Sequence, residues 1–449
     1  MTEITEAEIR AKRNLKLFIC FRMFFNARFY YPIFAIYFLE HGLTWEEFGI
    51  LNGIWAITII MLEVPSGALA DTLGRKKLLV LAGACMVIEM LALLYAPMDG
   101  SAWVFSLFAI NRIISGVAEA AASGADEALA YDSLKAAGME KEWGKALEKA
   151  QRFTSLAFFF AMMTGSAFYD SSFVNSCLGF LGFDFSVSDE TTIKIPIFLT
   201  FLSSLIVLGA ALGQRETIQA SNQGAVEAIR LSLRKTKVAG VWVLTTAFPF
   251  GILLAAMILD SVIRQFLTIA SAYWSVIEIP LWTFGLVASG MSLMGIFVPR
   301  GARWLADRKC PSFNFFLICI VLTIGLFGLG YAIPIWGILP AALLYASMQS
   351  MHYLISRYLN EEASSERRAT VLSFRGLATN LSYGAVSLLY SVLIAWIKTS
   401  QTKPPGEGRN LSEQDAVFVE SLGWFPWYFL CSLVLVLIVY RFRFGKKTH

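Results

Sequence analysis

Charge is scarce in this sequence. Of its 449 residues only 16% are Asp, Glu, Lys or Arg, against roughly 25% in a soluble domain, while 57% are apolar. The length alone would allow three soluble domains, but so little charge cannot cover their surfaces. The apolar content equally excludes disorder. Histidine is limited to His41, His352 and His449, too scattered for a zinc site. The six cysteines, Cys20, Cys85, Cys177, Cys310, Cys319 and Cys431, form no CxxC and no paired spacing, so neither a zinc site nor a disulfide framework is signalled. There is no GxxxxGK[ST] loop for nucleotide phosphates and no GxSxG nucleophile elbow. The basic excess is small, 37 Lys and Arg against 33 Asp and Glu, and lacks the clustered face that nucleic acid requires. No enzyme, cofactor or metal is therefore expected. The charged opening MTEITEAEIRAKR has no small-residue cleavage site and is not expected to be a signal peptide.

Long apolar runs are abundant. A bilayer-spanning helix needs about 20 apolar residues. Twelve stretches qualify, at about 15–39, 46–68, 78–97, 102–123, 152–172, 195–213, 243–274, 281–300, 313–332, 335–357, 370–397 and 425–442. The expected fold is an all-α membrane protein of twelve transmembrane helices. Pro249 is expected to kink the seventh. With the N-terminus inside, the outer loops hold only Lys194, Lys398, Lys403 and Arg409, and the other basic residues outside the spans gather on the opposite side. That bias places both termini in the cytoplasm, in a multi-pass protein of the cell's inner (plasma) membrane. Residues 214–242 are polar. They read as a cytoplasmic linker between halves 1–213 and 243–449, with a basic amphipathic helix over 225–237.

The halves repeat. At an offset of 236, Arg28 falls on Arg264, Ile33 on Ile269, Tyr37 on Tyr273, and Phe48-Gly49 on Phe284-Gly285. Ile60 falls on Ile296, and Leu69-Ala70-Asp71 on Leu305-Ala306-Asp307. The polar coincidences carry the weight in a chain so poor in charge. Both halves begin on the same side, which makes the repeat parallel, about an axis along the membrane normal.

The residues after the second span read Gly67-Ala-Leu-Ala-Asp71-Thr-Leu-Gly74-Arg75-Lys76-Lys77. This resembles the G-x-x-x-D-x-x-G-R-K loop of the major facilitator superfamily. Arg303-Trp-Leu-Ala-Asp307-Arg308-Lys309 is a degraded copy without the glycines. Asn111-Arg112-Ile-Ile-Ser-Gly116 is similar to the R-x-x-x-G pattern of the fourth helix. The resemblance implies twelve helices in two pseudo-symmetric six-helix halves and assigns Gly67, Asp71, Gly74, Arg75 and Asp307 to gating. Gly67 would allow close helix approach, Asp71 would accept from the start of span eleven near Thr370, and Arg75 would pair with Asp126 or Asp132. One departure is that span five lacks the G-x-x-x-G-P run usual in the proton-driven drug exporters of this superfamily.

Ionised groups inside a membrane are costly and mark candidate sites. Arg28 and Arg264, related by the repeat, would form an anion clamp, because guanidinium offers a planar fork to carboxylate or phosphate. The arrangement is similar to that of the superfamily's organophosphate/phosphate exchangers. Asn26, Tyr37 and Tyr273 complete the expected substrate site. Asp260, one turn before Arg264, also allows simple mutual neutralisation. Glu63, Glu89, Glu119 and Asp260 are the candidate proton carriers, with Arg112 and Glu119 also able to form a structural pair across two turns. His352 shares a face of span ten with Gln349 and Ser356 and is a candidate for the pathway.

The sequence thus reads as a secondary-active transporter working by alternating access on a small organic anion, with the lipid bilayer as its other partner and a monomer as its expected state. Proton-coupled export of amphipathic compounds is the alternative within transport. A polytopic membrane enzyme or receptor is the alternative from another class.

Overall fold

A computed structural model describes residues 6–216, 224–362, 365–400 and 412–444. Among the described residues every regular element is helical. In chain order the helices are α1 (Glu6–Asn26), α2 (Phe34–Glu40), α3 (Trp45–Leu73), α4 (Arg75–Leu94), α5 (Ala102–Ala122), α6 (Ala125–Ala136), α7 (Trp143–Tyr169), α8 (Ser171–Phe180), α9 (Asp189–Thr192) and α10 (Ile195–Gly213). They continue as α11 (Ala225–Thr245), α12 (Ala247–Val276), α13 (Phe284–Arg308), α14 (Pro311–Gly330), α15 (Ile338–Glu362), α16 (Ser365–Ser400) and α17 (Glu413–Phe444). Nine helical stretches among the described residues are long and apolar enough to cross a membrane. The other three expected spans fall on α1 with α2, on α7 and on α15, helices that carry more charge near one end.

Two compact units divide the chain. One holds Met1–Leu43, Ile57–Arg234 and Leu281–Ser289; the other holds Thr44–Ala56, Lys235–Pro280 and Gly290–His449. In the first unit α4 packs on α5 and α10, and α1 on α6, α7 and α10. Its core mixes Phe21, Met86 and Val207 with the small residues Ala82, Ala121 and Ala211, which let backbones approach where lipid offers no hydrophobic drive to associate. In the second unit α12 packs on α15, α16 and α17, and α14 on α15 and α17.

The first expected span is not one helix. It breaks after Asn26, passes through a short 3₁₀ turn at Tyr31–Ile33, and resumes as α2. Pro32 explains the break, since proline has no N–H and restricts the residue before it. The freed Phe29 N–H donates to Thr200 Oγ1 at 3.0 Å, and that hydroxyl donates to the Pro196 carbonyl at 2.8 Å. The Phe29 carbonyl lies so close to Gly165 of α7 that a Cβ there would overlap it. Likewise, the expected kink at Pro249 is instead a break at Thr246. Helix α12 restarts at Ala247 and carries Pro249 in its first turn, where the missing N–H would have had no intrahelical partner.

The repeat-related tyrosines are enclosed in matching ways. Tyr37 donates to the Leu93 carbonyl at 2.8 Å, near the end of α4. Tyr273 donates to the Gly337 carbonyl at 3.2 Å, just before α15. Both side chains are fully buried, which ties them to their bundles and corrects their expected place in a substrate site.

His41, just past α2, is buried against Tyr37 and Phe108. Its Nδ1 lies 2.8 Å from the Tyr37 carbonyl, and Nε2 has no partner among the described residues. Burial holds this imidazole below its ordinary value. The unfolded chain therefore binds a proton there at higher pH than the folded one. The His41 contribution to stability falls as pH drops through about 6.5, the ordinary histidine value, towards the folded value. Thermal unfolding should accordingly occur at lower temperature at pH 5 than at pH 7.5, and His41→Phe should narrow that difference. An identical pH dependence in the two proteins would exclude His41 as its source.

Candidate functional site

In the first unit the break in the opening span delivers Arg28 into the protein interior, where its side chain is 3% exposed and that of Glu89 is 0% exposed. Arg28 Nη1 donates to both carboxylate oxygens of Glu89, at 3.0 and 3.1 Å. The Tyr30 hydroxyl donates to Oε1 at 3.3 Å. Arg112 of α5 approaches the same oxygen at 3.5 Å and donates to Asn111 Oδ1 at 3.2 Å. Asn111 in turn donates to the Glu89 backbone carbonyl at 2.9 Å. Phe25 and Tyr31 face the Arg28 guanidinium, and Phe34 and Phe38 that of Arg112. Two guanidinium groups thus share one carboxylate inside an aromatic shell.

This arrangement revises two expectations. Arg28 is paired through Nη1 with Glu89 rather than held out for a substrate. Arg112 joins Glu89 instead of Glu119, which is exposed. Asn26 is also exposed, and its amide donates to the Arg22 carbonyl at 2.7 Å, closing the last turn of α1. Arg22 pairs with Glu127 of α6. Glu63 is half-buried in α3.

The second unit holds the more open polar site. Arg264 Nε donates to Asp260 Oδ2 at 2.9 Å, and its Nη1 donates to Asn380 Oδ1 at 2.8 Å. Its guanidinium lies over the Tyr383 ring, 4.7 Å from the centroid, and the side chain is 22% exposed. His352 Nε2 is 3.9 Å from Asp260 Oδ1. Asp260 and His352 also line a cavity of about 220 Å³, together with Ser356, Arg375 and Thr379. Among the described residues Asp260 is the one carboxylate of that lining. Helices α12, α15 and α16 supply the site. The sequence reading found Arg264, Asp260, His352 and Ser356 but missed Arg375, Thr379, Asn380 and Tyr383. Arg375, Thr379 and Tyr383 recur at four-residue spacing and so share one face of α16. That was the available signal, and it was lost because a basic residue near a span end reads as a flank.

The signature loop closes as a helix–glycine–helix turn. Gly74 alone separates α3 from α4, at φ +105°, a conformation open to glycine but strained for other residues. Arg75 forms an ion pair with Asp132 of α6. Asp126 accepts instead from the Glu127 N–H at 2.7 Å. The first turn of α4 is capped from elsewhere, since the Lys76 N–H donates to Glu216 Oε2 at 3.0 Å. Among the described residues, a Cβ on Gly67 would meet nothing within 4 Å. The side chains of Asp71 and Thr370, and all of Lys403 and Arg409, lie outside the described residues. In the degraded copy, Asp307 accepts from Arg357 Nη1 at 2.6 Å, and Arg303 Nε lies 3.9 Å away.

The model of the Major Facilitator Superfamily matches residues 17–387. No curated protein matches. Among solved structures, the chain is similar to the nucleoside transporter NupG at 13% identity and a TM-score of 0.64, covering 96% of this chain and 99% of that one. The xylose transporter XylE from E. coli is similar at 13% identity and a TM-score of 0.61, with coverage of 96% and 99%. A bacterial homolog of the human lysosomal transporter Spinster is similar at 13% identity and a TM-score of 0.62, with coverage of 98% and 96%.

Proposed function

The chain belongs to the major facilitator superfamily, and on that premise we propose that it is a secondary-active transporter moving a small organic anion by alternating access, with both termini in the cytoplasm. NupG and XylE are named for different substrates, a nucleoside and xylose, so the substrate class has to come from the residues of this chain. The observation that carries the reading is the cavity in the second unit. It combines the Arg375 guanidinium and the His352 imidazole with the single carboxylate of Asp260, which Arg264 already engages. A carboxylate or phosphate entering there meets donors in fork geometry.

The same contacts suggest how transport is coupled. While Asp260 is ionised it competes with the substrate for Arg264. A proton on Asp260 removes that competitor and leaves the guanidinium to the anion, so proton and anion travel together. Arg28, Glu89 and Arg112 brace the first unit rather than touch the substrate in this reading.

The test is counterflow of labelled carboxylates and organophosphates into proteoliposomes. A charged hydrogen bond contributes about 1.5–3 kcal/mol, and each 1.4 kcal/mol is a factor of ten. Arg264→Ala should therefore weaken apparent affinity about tenfold or more, and Arg264→Lys should recover part of it. Asp260→Asn should keep exchange of the anion while losing its acceleration by an inward proton gradient. Equal counterflow of an uncharged analogue, or an unaltered gradient dependence in Asp260→Asn, would overturn the anion assignment or the coupling, respectively.

A further inference from the structure

A second concavity in the same unit, of about 350 Å³, lies among α12, α16 and α17. Its walls are chiefly apolar, including Val262, Leu389, Leu393, Phe425 and Trp427. Leu389 and Trp427 are exposed, as expected of a groove open to lipid hydrocarbon. Gln265 stands among these residues and is only 1% exposed. It follows Arg264 directly, a turn of about 100° around the helix, so this groove and the polar cavity use different faces of α12.

Gln265 is half satisfied. Ser387 Oγ donates to its Oε1 at 2.9 Å, while Nε2 has no partner among the described residues. A buried amide donor left unmet in an apolar medium is costly, and surrounding lipid tails cannot meet it. The neighbouring Tyr390 hydroxyl is already in contact with Ser421 Oγ at 3.3 Å. Gln265 is eleven residues before the last residue of α12, or about 16 Å at 1.5 Å per residue. That depth is well inside a hydrocarbon layer about 30 Å thick, below the level of lipid headgroups.

We propose that this groove binds a membrane-dissolved carbonyl compound, an apolar chain or ring system whose single oxygen accepts the Gln265 Nε2 hydrogen bond. Apolar burial supplies the attraction. The amide selects occupants that carry an acceptor at its depth. Because the groove shares no lining residue with the polar cavity, it can be filled independently of the transported solute.

Cys431 lines the groove and is exposed, which provides a reporter. The experiment uses the full chain in proteoliposomes with Cys431 as its only cysteine and follows alkylation by a membrane-permeant maleimide. The probes are 6-undecanone, 6-undecanol and undecane at equal concentrations in the membrane. The ketone should protect Cys431 at about tenfold lower concentration than the alkane, the equivalent of about 1.4 kcal/mol. Gln265→Leu should abolish that preference. Leu389→Trp, which fills the groove and leaves the amide in place, should remove protection by both probes. Equal protection by ketone and alkane, absence of protection, or a preference that survives Gln265→Leu would each overturn the proposal. Stronger protection by the alcohol than by the ketone would show that the amide presents an acceptor, and would also overturn it. None of these readouts depends on transport, so they stand apart from the test of the anion site.

Discussion

Glu89→Gln should lower the unfolding temperature by about 10 °C. The substitution keeps the shape of the side chain and removes the one carboxylate that Arg28 and Arg112 share. Breaking a buried ion pair from one side costs about 3–5 kcal/mol, because the remaining charge loses the partner bonded to it. In a unit of this size each kcal/mol moves the midpoint by about 2–4 °C. The informative comparison is a double-mutant cycle. Arg28→Met in the Glu89→Gln background leaves one guanidinium and no carboxylate, restoring the charge excess of the original cluster. It should therefore recover much of the loss, whereas Arg28→Met alone should not be neutral. Additive losses in the cycle would mean that the two side chains act separately although Arg28 Nη1 reaches both carboxylate oxygens. Transport should fall with the folded fraction of Glu89→Gln, and its apparent affinity for substrate should change little, because the cluster and the residues of the proposed cavity belong to different fold units.

Gly165→Ala should cost tenfold or more in transport rate, with a clear drop in unfolding temperature. Its Cβ would overlap the Phe29 carbonyl, which is backbone and cannot swing aside as a side chain does. Forcing extra atoms into a packed interior typically costs about 1–3 kcal/mol. Here the displaced segment is the unwound stretch that carries Arg28 and the hydrogen bond from Phe29 N–H to Thr200. Gly144→Ala, in the same helix, is the control. A Cβ there meets nothing within 4 Å, and alanine is about 1 kcal/mol better than glycine inside a helix. It should be neutral or slightly stabilising. Matching behaviour of the two variants would show that the opening span does not rest on α7 at Gly165.

These two sites mark how far the sequence could be read. Composition, apolar run length and the loop after the second span led to the superfamily, and the family model agrees over residues 17–387. Local chemistry was legible where partners are close in sequence. Asp260 and Arg264, one helical turn apart, do pair. The Arg75 pairing was narrowed to two acids, of which Asp132 is the one engaged. Partners on different helices were not legible. Glu89 stood as a lone acid in an apolar span, and only the three-dimensional packing of α4 against α5 and the broken first span joins it to two arginines. The break itself was announced by Pro32, but the apolar run around it read as continuous, since hydropathy does not register a missing backbone donor. Gly165 gave no signal, because a glycine that admits another backbone looks the same as one facing open space.

The division of the chain into units has a consequence for how its gene can be cut. Each unit takes in a short piece from the other half of the sequence, residues 44–56 in one direction and 281–289 in the other. The first piece is well seated. Trp45 stacks on Phe418 at 4.8 Å, and a Cβ on Gly49 would come within 2.7 Å of the Ser387 carbonyl. The second is seated too, with Gly285 N–H donating to Ser166 Oγ at 2.9 Å. A fragment ending at Gly213 would carry Trp45, Phe48 and Gly49 without the helices that cover them. The complementary fragment would carry Trp282 and Phe284 without α7. Each half of the chain is therefore unfinished by itself, and a split gene would have to deliver both to the same membrane at the same time.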